Sequence, residues 1–161
     1  MPDGGAMMHE PEIVDLQLPP RPEVVSVARL VVGAVVAAQP SFDDERSADL
    51  RLAVSEACTN AVQAQLSRRP GSTPDAPIAV VVSIDDERIG VTVTDHGGGF
   101  DPADIEPHPE VTDPARLEFE GGLGIPLLRM LADDLAFVPV VGGTRVEMAF
   151  RPRSSPDRPI V

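Results

Sequence analysis

The chain has 161 residues, 26 acidic against 13 basic side chains and a formal net charge of −13, so it fits one domain and carries no basic stretch with which to neutralise a nucleic-acid backbone. Hydrophobic residues reach 42% but aromatics only 3%, so the core must be built from Val, Ala, Leu and Ile. Nothing approaches the ~20 consecutive apolar residues of a membrane span, the lone Cys58 excludes an internal disulfide, and residues 1–11 lack the pattern of a secretion signal. A cytoplasmic protein is expected, with the acidity serving solubility or forming a face for a basic protein partner.

Residues 1–11 read as a disordered N-terminus. Glu12 to Leu18 alternates apolar and polar positions, the period of a half-buried strand. Pro19, Pro20 and Pro22 break the chain before an Ala- and Val-rich helix from Val24 to Ala38, which stops ahead of Pro40. Ser41 with Asp44 resembles a capping box and opens a second helix running from about Asp43 to Leu66, closed by Pro70-Gly71. Two strands, Ile78 to Ile84 and Ile89 to Thr94, flank Asp85-Asp86-Glu87-Arg88 as a hairpin. From Asp95 to Gly122 no period is sustained, the mark of a functional or disordered loop. Leu123 to Leu131 reads as a helix that tolerates Pro126 in its first turn, and Leu135 to Val141 and Thr144 to Phe150 as a closing pair of strands. Residues 151–161, with three prolines, read as a disordered tail. This order predicts an α/β (α+β) two-layer sandwich: a mixed, mostly antiparallel sheet with the helices on one face.

Three elements can carry chemistry. Glu56 and Asn60 lie four positions apart, so both project from the same side of the second helix. An amide oxygen can hold a hard cation such as Mg²⁺, and a carboxylate one turn away can accept a proton; such a pair is also common on a solvated helix face. Asp95-His96-Gly97-Gly98-Gly99 ends a strand with a carboxylate and a backbone that allows close approach, suited to an exocyclic amine or simply to a turn. Gly121-Gly122-Leu123-Gly124 opens a helix, where bare N–H groups can cradle phosphate, and no Gly-Lys-Ser/Thr follows to make it a Walker loop.

The order Glu-x-x-x-Asn on a helix, Asp-x-Gly-x-Gly after a strand, a long lid, Gly-x-Gly on a helix and Gly-Thr on a final strand resembles the ATP-binding fold of gyrase ATPase subunits and histidine kinases. The run from Asp49 to Gln63 is similar to the helix that marks the anti-sigma-factor serine/threonine kinases within it, the RsbW and SpoIIAB type. That resemblance covers residues 12–150, with an ATP lid at 101–121. It implies ATP and Mg²⁺ as cofactors, Glu56 as general base and Asn60 as Mg²⁺ ligand. It also implies Asp95 on adenine with Gly97 and Gly99 shaping the wall, Gly122 and Gly124 along the phosphates, and Thr144 supporting the adenine contact. The implied reaction is γ-phosphoryl transfer to a STAS-domain anti-sigma-factor antagonist, with a sigma factor sequestered by partner exchange and the kinase a homodimer that touches neither nucleic acid nor membrane. Two readings compete with it, an ATP-binding module that sequesters without phosphorylating and a switch kinase acting on a phosphatase. The chain departs from the family pattern at Ala64, where a His is frequent, and in its lid. There Asp101, Asp104, Glu106, Glu110, Asp113, Glu118 and Glu120 face one cation, Arg116, which is expected to be the lid's phosphate contact. Cys58 is expected to be a small core residue, and His96 to face solvent.

Overall fold

The computed structural model describes residues 9–99 and 124–153. Its elements follow the order β1 (Glu12–Leu18), α1 (Val24–Ala37), α2 (Asp44–Leu66), β2 (Ile78–Ile84), β3 (Ile89–Asp95), α3 (Gly124–Leu131), β4 (Asp134–Val140) and β5 (Gly143–Phe150). The strands form one sheet in the order β1-β2-β3-β5-β4. The sandwich is the one expected, except that every ladder is antiparallel where a mixed sheet was anticipated.

Register explains the core. On β2 and β3 alternate residues are buried, Ile78, Val80, Val82 and Ile84 on one strand and Ile89, Val91, Val93 and Asp95 on the next. Cross-strand pairing sets Val91 opposite Val82 and Met148, and Ile89 opposite Ile84 and Phe150, so one apolar face is continuous across the sheet. The helices cover that face. α1 is rich in valine, a weak helix former, and owes its form to packing: Ala28, Val32 and Val36 recur every four residues and are fully buried. Gly33 on the same helix has no β-carbon because the aliphatic stem of Arg51 lies against it, 2.9 Å from where one would stand. α2 supplies the longest apolar stripe, through Leu50, Ala53, Val54, Ala57, Ala61 and Val62. Pro139 is accommodated because β4 is an edge strand, where a missing N–H breaks no ladder.

Two local expectations are corrected. The N-cap of α2 is Asp43, whose carboxylate accepts the Arg46 N–H at 2.6 Å; Ser41 lies two residues too early to reach the first turn. At the other end of α2, Arg68 takes the left-handed conformation (φ 47°) that a glycine more often supplies. Arg46 itself is buried. Its guanidinium bonds the Asp133 carboxylate, the Leu131 carbonyl at 2.8 Å and the Arg151 carbonyl at 3.0 Å, and stands 5.1 Å from the centre of the Phe150 ring. One side chain thereby joins the start of α2, the end of α3 and the chain beyond β5. Arg151 and Arg153, read above as the start of the tail, pair with Asp134, Glu45 and Asp49.

Candidate functional site

The site residues form two clusters at opposite ends of one helix face. α2 places Glu56, Asn60 and Ala64 in line at spacings of four, so the face extends about 12 Å from Glu56 to Ala64. Glu56 and Asn60 are half-buried beside the apolar stripe. The first residue of α3 comes directly against them. A β-carbon on Gly124 would lie 3.0 Å from Asn60 Nδ2 and 3.2 Å from Glu56 Oε2. Glycine is therefore what lets the N-terminus of α3, the positive end of its dipole, approach the carboxylate and the amide.

The second cluster gathers at the end of β3. Asp95 is 6% exposed, and desolvation raises its carboxyl above the ordinary 3.8, opposed by the N–H groups of Gly97 and Thr144 and by the charges of His96 and Arg69. The Gly97 N–H donates to Asp95 Oδ1 at 2.9 Å. Gly97 is wedged against α2, where a β-carbon would stand 2.5 Å from the backbone carbon of Ala64. Gly98 and Gly99 adopt positive φ (91° and 76°), and the Gly98 N–H donates to the Gly142 carbonyl at 2.9 Å, tying the loop to the β4–β5 turn. Across the ladder from Asp95 is Thr144, 3% exposed, and its buried Oγ1 has no hydrogen-bond partner among the described residues.

A buried hydroxyl without a partner beside a desolvated carboxylate costs free energy unless a ligand completes the set. The pair Asp95 and Thr144 fits a polar aromatic edge offering both a donor and an acceptor, as adenine does. Asn60 beside Glu56 fits a hard cation that keeps most of its ligands as water or phosphate oxygen.

Of the expected site residues, Glu56, Asn60 and Gly124 meet at one end and Asp95, Gly97, Gly99 and Thr144 at the other. Gly122, Arg116 and the lid at 101–121 lie outside the described residues. His96 does not face solvent as expected. It is half-buried, and its Nδ1 is enclosed without a partner among the described residues. Cys58 is a core residue, its thiol pushed up to about 12 by burial and so inert as a nucleophile. The sequence reading passed over Gln65, fully buried and hydrogen-bonded to the His96 backbone, because a lone Gln near a helix end carries no pattern.

Residues 18–150 match the family model described as the histidine kinase-like ATPase domain. Among characterised proteins the chain is similar to the serine-protein kinase RsbW of Bacillus pumilus, 34% identical over 128 residues, which are 77% of this chain and 76% of that protein. The serine-protein kinase RsbW of Listeria innocua is 37% identical over 134 residues, 81% of this chain and 80% of its own. The crystal structure of the RsbU and RsbW domains of a Mycobacterium tuberculosis protein superposes with a TM-score of 0.60 at 18% identity, a likeness of fold. It takes in 87% of this chain, which spans about a third (32%) of that longer one.

Proposed function

The chain belongs to the RsbW-type serine-protein kinases of the histidine kinase-like ATPase family, and on that premise we propose that it is an anti-sigma-factor kinase. In this reading it phosphorylates a STAS-domain antagonist with Mg-ATP and holds a sigma factor when the antagonist is phosphorylated. The observation that carries the proposal is the meeting of Glu56 and Asn60 with Gly124 at the opening of α3.

Bound Mg-ATP supplies the phosphoryl group and the counter-charge for its transfer. The chain supplies position and proton handling. Asn60 offers an amide oxygen to the ion. Glu56, one turn away, accepts the proton of the attacking serine or threonine hydroxyl at a carboxylate oxygen. Asp95 accepts a hydrogen bond from the adenine amino group, and the orphaned Thr144 hydroxyl completes the recognition of that edge. Gly122 and Arg116 serve the phosphates, Arg116 being the only cation among residues 101–120. A groove of about 1010 Å³ between α1 and α2 ends at Glu56 and is lined by Arg29, Leu30, Gly33, Arg51 and Leu52. Leu30 and Leu52 are 75% and 42% exposed, which suits a protein substrate better than a small molecule. The working unit is proposed to be a homodimer in the cytoplasm. Among the described residues no helix is long and apolar enough to cross a membrane.

The decisive experiment is intact-mass spectrometry of a STAS-domain protein encoded beside this chain, after incubation with it and Mg-ATP. One added phosphate is expected. ATP binding without transfer would instead identify a module that sequesters its partner and does no chemistry.

Asp95→Asn is expected to move affinity and stability in opposite directions. Losing the charge at the adenine contact weakens ATP binding by roughly 10- to 100-fold, measured calorimetrically. In the free protein the carboxyl's folded pKa lies above its unfolded value, so ionisation costs the folded state at neutral pH. That cost is complete above the raised pKa and vanishes as pH falls toward 3.8. The neutral amide removes it, and the melting temperature without nucleotide rises at pH 7 but not at low pH.

A further inference from the structure

We propose that Gln65 is a positioning residue for adenine selection, holding Asp95 in place through the backbone of His96; the proposal rests on the ATP reading above. Gln65 is fully buried near the end of α2. Its Nε2 donates to the Ala76 carbonyl at 2.7 Å and faces the Thr73 and Pro74 carbonyls at 3.4 Å. Its Oε1 accepts the His96 N–H at 3.2 Å. The His96 carbonyl in turn accepts the Thr73 N–H at 2.8 Å. The residue after Asp95 thus has its N–H held by α2 through Gln65 and its carbonyl held by the α2–β2 connection, which Gln65 also pins.

The next peptide is the one that matters chemically. Its N–H, that of Gly97, donates to Asp95 Oδ1 at 2.9 Å and sets the orientation of the carboxylate. Gly97 rests on Ala64, the helix residue adjoining Gln65. Rotation of the His96 peptides would therefore swing the Gly97 N–H off the carboxylate. A buried primary amide is costly unless its donors and its acceptor are used, and here they bridge two segments that share no β-ladder. A purely structural role would be finished by the Ala76 bond; the bond to His96 carries the amide's influence to the site.

The test compares ATP with inosine triphosphate, which carries an oxo group in place of the 6-amino group. Binding of each to the full chain is measured by calorimetry, with stability followed by urea unfolding of the same samples. Gln65→Met keeps the volume and removes both polar functions. It is expected to weaken ATP roughly five- to tenfold while inosine triphosphate affinity stays level, so that discrimination collapses and phosphoryl transfer at saturating ATP is unchanged. Gln65→Asn, one methylene too short to span both partners, gives the same collapse if the methionine variant does not fold. Discrimination kept at the wild-type ratio, or a parallel loss for both nucleotides, overturns the role of Gln65 alone. A wild-type chain that binds ATP no better than inosine triphosphate, or not at all, overturns the adenine assignment of Asp95 and this proposal with it.

Discussion

Glu56→Gln is expected to lower phosphoryl transfer by about 10²- to 10⁴-fold while leaving ATP affinity unchanged, when transfer is followed by single-turnover labelling of the proposed STAS-domain partner. The magnitude is that of removing a general base, and the split between binding and transfer follows from where the residue stands. Glu56 is at the α3 end of the α2 face, two helical turns from Ala64 and the Asp95 cluster, so the amide substitution leaves Asp95 and Thr144 untouched. Glutamine keeps the volume that Gly124 packs against, so the helix opening is not disturbed. If Glu56 held the metal or the phosphates in place of accepting a proton, affinity for Mg-ATP would fall together with the rate.

Arg46→Met destabilises the protein by about 1–3 kcal/mol, read from the urea midpoint at constant slope. The loss follows from what the guanidinium leaves behind. Asp133 is left with the Arg151 N–H and Asp49 with Arg153, while the carbonyls of Leu131 and Arg151 lose donors. Methionine fills the space beside Phe150 but answers none of those groups. The variant also frees the end of α3 from the start of α2, so melting followed at α3 should lose its coincidence with the sheet. An effect within ±0.5 kcal/mol, the range of ordinary surface substitutions, would mean that the network is solvated and idle.

Most of the architecture was legible because its periods are local. Strand alternation in Glu12–Leu18, Ile78–Ile84 and Ile89–Asp95 gives β1, β2 and β3 nearly residue by residue. Proline and glycine mark the breaks between elements. The spacing of Glu56 and Asn60 and the glycines after Asp95 were likewise open to reading, since their placement depends on one element each. What escaped depends on distant partners. Arg46 follows Asp43, Asp44 and Glu45 and carries no pattern of its own; its partner Asp133 is 87 residues away. Gln65 acquires meaning only when β3 brings His96 beside it, 31 residues on. His96 was misread for the same reason. Its burial comes from the α2–β2 connection folding over the loop, an arrangement with no periodic trace.

The strand order has a consequence for synthesis on the ribosome. β5 inserts between β3 and β4, and its Thr144, Val146, Met148 and Phe150 complete both the core and the partner face of Asp95. Glu56, Asn60 and Asp95 are therefore translated long before the strand that closes their site. Pairing β3 with β5 requires closing a long loop, the kind of non-local contact that forms slowly. A nascent chain holding the first three strands has Glu56, Asn60 and Asp95, the proposed base, ion ligand and adenine carboxylate, yet lacks Gly124 and Thr144. On the proposed site, a chain that ends before β5 is expected to bind ATP poorly, because the hydroxyl opposite Asp95 comes only with that strand.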